Sequence, residues 1–381
     1  MKMTMTAKLL NAACAAWVLA AATPAARAAE PDADRRPIVE IAILLDTSGS
    51  MQGLIEQAKG QLWKIVNEFI KARQNGKTPE VHVALFEYGK SSLPGSEGYI
   101  RMIQPLINDL DRISEDLFAL QTNGGDEYCG WVIREAVQRL EWSKSPDVYR
   151  AIFIAGNEPF TQGPVNHVEW CKAAIAKGIV VNTIHCGDEG TGIGTKWQEG
   201  ALLADGKYMI IDQNRAVVHF EAPQDHEIVR LSSELNKTYA AYGAFGAESA
   251  NRQAVQDANA TSLAPQGVAL NRALTKASAN YVNSNWDLVD AVRAEAVKIE
   301  AVKTEDLPEE MRKMTLDARK KFIEDKYQER TEIQARIHEL NEQRNRYIAE
   351  QKSAHAATNT LDTVVISAIR EQAAKRNYQF E

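Results

Sequence analysis

The run Ile38-Val39-Glu40-Ile41-Ala42-Ile43-Leu44-Leu45 passes directly into Asp46-Thr47-Ser48-Gly49-Ser50-Met51. A short, almost wholly apolar run closed by a turn signal reads as a buried strand. The turn after it carries a carboxylate and two hydroxyls at alternate positions, Asp46, Ser48 and Ser50. A Gly-containing turn at a strand end can fold those oxygens back on one point. Converging oxygen ligands suit a hard cation such as Mg²⁺, which prefers near-octahedral oxygen coordination and keeps some waters. The competing reading is an ordinary strand-to-helix turn, with Ser48 or Ser50 capping the next helix.

The chain then alternates. Leu54, Ile55, Ala58, Leu62, Ile65, Val66, Phe69 and Ile70 recur at helical spacing, and Gly76 and Pro79 close that element. Apolar, strand-like runs follow at 81–86, 99–107, 149–155, 179–184 and 208–211, with helical patterns at 113–120, 131–142, 165–177 and 197–204. The glycine-rich stretch Gly190-Thr191-Gly192-Ile193-Gly194 reads as a flexible loop, because it lacks the lysine spacing of a phosphate loop. Strands alternating with helices imply an α/β fold: a doubly wound, mostly parallel sheet flanked by helices. Ligands of such sheets gather at the carboxyl ends of the strands. The Asp46 turn lies at such an end.

Beyond Pro223 strand-like runs largely vanish, and an all-helical C-terminal region is expected. Asp287 opens one amphipathic helix, and 308–351 reads as one long helix of about 65 Å. Ile333, Ile337, Leu340 and Tyr347 share a face, with Arg344 at an intervening apolar position, a pattern short and polar for a coiled coil. A helical hairpin is the alternative, the last helix folding back from Leu361 to Ala374. Its stripe of Leu361, Val364, Val365, Ala368 and Ile369 needs a partner surface. The expected organisation is a leader at 1–28, a linker at 29–36, an α/β domain at 37–213, a helical region at 214–307 and the long helix or hairpin at 308–381.

The Asp-x-Ser-x-Ser text after an apolar strand resembles the metal-ion-dependent adhesion site of von Willebrand factor A-type domains. The segments Ile152-Phe153-Ile154-Ala155-Gly156-Asn157-Glu158-Pro159 and Ala173 to Ile184 are also similar to that family. The resemblance covers residues 37–213. It implies that Ser48 and Ser50 bind the ion directly, that Asp46 acts mainly through water, and that a further position is left for a partner's acidic group. The family's second loop supplies a Thr after a Gly pair. Here Gly124-Gly125 is followed by Asp126. Asp126 is therefore a candidate ligand, Thr122 is the alternative if the loop is shifted, and Asp126 with Glu127 reads equally well as an acidic pair at a helix N-terminus. The third loop supplies an Asp where this chain has Gly156, with Asn157 or Glu158 as residues able to reach inwards. The implied ion is Mg²⁺, with Ca²⁺ or Mn²⁺ as alternatives.

The N-terminus has the layout of an export leader: basic Lys2 and Lys8, an apolar core from Leu9 to Ala22, and small residues around Ala26-Arg27-Ala28. It implies a periplasmic or secreted protein without a stable membrane span after cleavage. The net charge of −7 becomes more negative once that leader is removed, which argues against a nucleic-acid partner. In an oxidising compartment Cys129, Cys171 and Cys186 allow one disulfide, and Cys129–Cys186 is the preferred pair. His185 and Cys186 are neighbours on a strand and point to opposite faces, so they do not form a nucleophile–base pair. His167 and Cys171 share a helix face, which reads as packing rather than zinc. Trp63, Trp131, Trp142, Trp170 and Trp197 are expected on helices, packed against the sheet. Charged runs at Arg319-Lys320-Lys321 and Arg344-Asn345-Arg346 read as solvated helix faces.

These readings combine into an exported, non-enzymatic protein-binding module that holds a partner's acidic group through a divalent cation. The alternative is an envelope scaffold that self-associates through its C-terminal helices around a vestigial metal loop.

Overall fold

The computed structural model describes residues 36–211, 220–263, 267–353 and 361–380; the leader expected at 1–28, and residues 29–35 of the expected linker, lie outside them. In chain order the first part runs β1 (Ile38–Asp46), α1 (Gln52–Ile70), β2 (Ala72–Arg73), β3 (Glu80–Tyr88), β4 (Ile100–Ile107), α2 (Leu110–Ala119), α3 (Cys129–Arg139), β5 (Tyr149–Gly156), α4 (His167–Ala176), β6 (Ile179–Cys186), α5 (Glu189–Gly194), α6 (Trp197–Leu202) and β7 (Tyr208–Ile211). The second part adds α7 (Asp225–Asn236), α8 (Gly246–Ser262), α9 (Val268–Lys276), α10 (Leu288–Arg293), α11 (Leu316–Ser353), α12 (Leu361–Ala374) and β8 (Gln379–Phe380).

Six strands form one sheet in the order β4-β3-β1-β5-β6-β7. Every neighbouring pair is parallel except β3–β4. The mostly parallel, doubly wound sheet expected from the alternation is therefore present. β1 lies between β3 and β5, which explains why its sequence is apolar almost throughout: both faces are covered. Ile41, Ile43 and Leu45 pack with Trp63, Val66 and Phe69 of α1 on one face. Ala42 and Leu44 pack with Val132, Ile133 and Trp197 on the other. The glycine-rich stretch expected to be a loop forms the short helix α5, capped by Asp188, whose side chain accepts from the Thr191 N–H.

α12 does not fold back on α11 as a hairpin. Val365, Ile369 and Ala373, with Tyr378 beyond, join the same core as Leu45, Phe153 and Ile211. For Val365 and Ile369 of the expected stripe the partner surface is the sheet face beside α1; the side chains of Leu361 and Val364 lie outside the described ones. Gln372 fixes the depth of docking, accepting from the Tyr149 hydroxyl at 2.7 Å and donating to Asn182 at 2.7 Å. β8 then pairs antiparallel with β2.

α11 begins at Leu316, later than expected; Pro308 opens a one-turn 3₁₀ helix at Glu309–Met311 instead. Its inner face is used within the chain: Ile337 and Leu340 pack against Ile228 and Leu231 of α7. Arg344 is not a solvated residue, since its Nε lies 2.6 Å from Asp225 Oδ1. Arg330, also on α11, is buried against Asp287 and Asp290 at 2.9 and 2.5 Å. Arg272 on α9 ties the helical part to the sheet part through Asp111 of α2.

The expected Cys129–Cys186 disulfide is not formed: all three cysteines are free and buried. Cys129 belongs to the core on one face of the sheet and Cys186 to the core on the other. The sheet itself separates the two sulfurs. Trp142 lies beyond the end of α3 rather than on it.

Candidate metal centre

β1 ends at Asp46, and the backbone turns at once. Asp46 Oδ1 accepts the Ser48 N–H at 2.7 Å, which closes the turn and leaves Oδ2 facing the loop cluster. Ser48 is buried, Ser50 is exposed, and their hydroxyl oxygens lie 3.4 Å apart. The convergence expected of these residues is thus present. No side chain caps α1, so the competing reading of a serine-capped helix is not met.

The neighbouring loops are fastened to this turn by backbone bonds. Thr47 N–H donates to the Tyr88 carbonyl at 2.8 Å, and Asn123 N–H donates to the Thr47 carbonyl at 3.0 Å. The second fastening brings the Gly124-Gly125 loop beside Asp46. The loop then presents Glu127 rather than Asp126. Asp126 is exposed, and its carboxylate accepts from the Tyr128 hydroxyl at 3.2 Å. Glu127 is 4% exposed and turns inwards, its backbone N–H held by Gln162 Oε1 at 2.6 Å. Thr122 lies at the rim, donating to Gln52 Oε1 at 3.4 Å. Asp126 and Glu127 are adjacent but differ in burial, so a shift of one residue decides which carboxylate stands beside Asp46.

The Asp46 and Glu127 side chains come together beside Gly89. Burial raises the Asp46 pKa above its ordinary value. Burial, and then the Asp46 charge, push Glu127 up to about 9. Two buried carboxylates in contact cannot both stay ionised without a compensating positive charge. Asp46 Oδ2 and Glu127 Oε2 are buried without a hydrogen-bond partner. Asn157 Oδ1 is a third such oxygen, on a side chain whose amide donates to Ser50 Oγ at 3.2 Å.

Gly89 and Gly156 make room for this arrangement. A Cβ on Gly89 would sit 2.7 Å from Glu127 Cγ and 2.9 Å from Asp46 Oδ1. A Cβ on Gly156 would meet Tyr88 Oη at 2.6 Å and Asp46 Oδ2 at 3.1 Å. The Tyr88 hydroxyl, donating to the Ala155 carbonyl at 3.0 Å, therefore fills the space that an aspartate at 156 would need. The third loop has no carboxylate at 156, and the buried carboxylate beside Asp46 is that of Glu127 in the second loop.

The donor set fits a hard cation. It offers carboxylate oxygens from Asp46 and Glu127, hydroxyls from Ser48 and Ser50, and an amide oxygen from Asn157, without sulfur or imidazole. Among the described residues no cluster of three or more His, Cys, Asp or Glu side chains is arranged for a metal, so neutral oxygens and water would complete the coordination. Glu127 and Asn157 were present in the sequence as neighbours of the expected ligands; the inward turn of each depends on loop contacts that the sequence pattern does not display. His185 is buried against Trp197 and stands opposite Gly156 in the β5–β6 register, and among the described residues its two ring nitrogens have no partner. His167 and Cys171 are both buried on the packed face of α4.

No family model matches this chain, and no curated protein does. Among solved structures it is similar to BatB from Bacteroides thetaiotaomicron, with 21% identity over 46% of this chain and 90% of that one, at a TM-score of 0.34. It is similar to an aerotolerance-related membrane protein from Bacteroides fragilis, with 20% identity over 46% and 92% of the two chains and a TM-score of 0.33. A third is proximal thread matrix protein 1 from the mussel byssus with a zinc-occupied adhesion-site motif, 15% identical over 47% and 43%, at 0.35. The α/β fold of this chain is read from its own strand order and loop positions, and the zinc belongs to the mussel protein.

Proposed function

We propose that this chain is an exported, non-enzymatic protein-binding module of the von Willebrand A type that engages a partner's acidic group through a divalent cation, Mg²⁺ before Mn²⁺ or Ca²⁺. The observation that carries this reading is the buried pair of carboxylate oxygens without a partner among the described residues, Asp46 Oδ2 and Glu127 Oε2, at the turn that also carries the hydroxyls of Ser48 and Ser50. Asp46, Glu127, Ser48, Ser50 and Asn157 would hold the ion. When bound, the ion supplies a positive charge at the loop surface, where a carboxylate can complete its coordination. The leader pattern at 1–28 supports export, and among the described residues no helix is long and apolar enough to cross a membrane.

Titration calorimetry of Mg²⁺ and Mn²⁺ into chelator-stripped protein tests the reading. Saturable binding should disappear in Asp46→Ala and in Glu127→Gln and survive in Asp126→Asn. Wild-type protein that takes up neither ion would refute it.

The scaffold reading draws on Gly156, where the expected third-loop carboxylate is missing. It requires a self-association surface on residues 308–381. Ile337 and Leu340 of α11 and Val365, Ile369 and Ala373 of α12 are occupied within the chain, which weakens it. A chelator-insensitive oligomer that dissociates on deletion of 308–381 would favour it over the binding module.

A further inference from the structure

The opposite end of the sheet carries a second polar feature. From Gly156 back to Arg150 along β5 is about 20 Å, so the two are separate sites. Arg150 lines an open recess of about 810 Å³ whose walls also include Trp142, Lys144, Ile175, Lys177 and Arg376. Arg150 is 6% exposed. Its Nη1 donates to the Ser143 carbonyl, while its Nε is buried with no acceptor. Glu40 stands opposite Arg150 in the β1–β5 register, but both of its oxygens accept from the Ser143 N–H, at 3.2 and 2.9 Å. Among the described residues neither Arg150 nor Arg376 has a carboxylate within ion-pair distance.

The two guanidinium groups nevertheless converge. Gly178 stands at the wall with φ +71°, and a Cβ there would lie 2.9 Å from Arg150 Nη2 and 3.5 Å from Arg376 Nη2. Burial, and then the charge of Arg376, lower the Arg150 pKa, and the Glu40 carboxylate across the register offsets them only in part. Like charges gathered in a partly dry recess are unfavourable unless an anion joins them. Lys144 and Lys177 at the rim add positive charge, and the exposed Glu141 is the acidic residue of the lining. Paired guanidinium forks match the tetrahedral oxygens of phosphate, whose second negative charge uses the surplus of cations. The Trp142 ring, held by its Nε1–H to the Ala136 carbonyl at 2.9 Å, gives the recess a flat apolar wall beside Ile175. The volume lies in the range of small-molecule pockets.

We propose that this recess is an anion-binding site that takes a phosphate group, free or carried by a small organic molecule, between Arg150 and Arg376. The test is calorimetric titration of the purified protein with inorganic phosphate and with phenyl phosphate, at an ionic strength matched with sodium chloride. Saturable binding is expected, weakened at least ~10-fold in Arg376→Gln and less in Lys144→Gln. Both side chains lie at the surface or rim, and circular dichroism of each variant verifies the fold. Tighter binding of phenyl phosphate assigns the site to an organic phosphate, and equal binding assigns it to the free ion. Absence of saturable binding by both probes, or affinity unchanged in Arg376→Gln, would overturn the proposal.

Discussion

Arg272→Met should cost about 3–5 kcal/mol of folding stability, the range for breaking a buried ion pair from one side. Arg272 is 1% exposed. Its guanidinium reaches Asp111 at 2.5 Å, Asp257 at 2.6 Å and the Gln253 carbonyl at 3.1 Å, and it lies over the Trp63 ring at 4.9 Å. Burial alone would lower its pKa, but the Asp111 and Asp257 charges more than reverse that effect. Methionine keeps the apolar stem against Trp63 and removes the charge. Asp257 retains Lys276 at 2.7 Å, whereas Asp111, 4% exposed, retains only a hydroxyl donor among these partners, Tyr281. The loss therefore comes mainly from stranding the Asp111 carboxylate. Urea denaturation followed by tryptophan fluorescence and far-ultraviolet circular dichroism measures it. Adding Asp111→Leu should recover part of the loss, because the stranded charge is then removed. A cost below about 1 kcal/mol, or a double variant as unstable as the sum of the single ones, would refute the assignment of Arg272 as the fastening between α9 and the sheet domain.

Further outcomes follow from the same geometry. In cation-free protein the Glu127 pKa is raised from 4.5 to about 9, so across that window the native state binds more protons than the unfolded chain, and stability falls as pH rises. Denaturant midpoints between pH 5 and pH 8 should show this slope in wild type and lose most of it in Glu127→Gln; an unchanged slope in the variant would assign it elsewhere. Gly156→Ala should destabilise by about 1–3 kcal/mol through its contact with Tyr88 Oη, and Tyr88→Phe in that background should relieve part of the strain, as read by thermal denaturation. Ile369→Ala, at a fully buried position, should cost about 2–5 kcal/mol and speed amide exchange along α12; unaltered exchange would mean that α12 is not held by this face.

The loop text Asp46-Thr47-Ser48-Gly49-Ser50 was legible because its oxygen-bearing side chains are local: a strand end and a tight turn place them whatever the rest of the chain does. The second loop was not. Asp126 and Glu127 offer the same chemistry, and the choice between them rests on the Asn123–Thr47 and Glu127–Gln162 hydrogen bonds, which join residues far apart in sequence. Asn157 was visible as a residue able to reach inwards, but its bond to Ser50 required the two strand ends to be placed side by side. The cysteine pairing failed for a related reason, since proximity to a strand end does not say which face of the sheet a sulfur occupies.

The sequence by itself determined the alternation of strands and helices, the mostly parallel sheet and the position of the oxygen-rich turn, because each follows from short-range periodicity and turn chemistry. Tertiary structure decided that α12 covers the sheet instead of α11, that Glu127 rather than Asp126 faces Asp46, and that Arg150 meets Arg376 at Gly178. An apolar stripe states that it must be buried and a charge that it must be balanced. Neither states against what, since the partner is chosen by the packing of the whole chain.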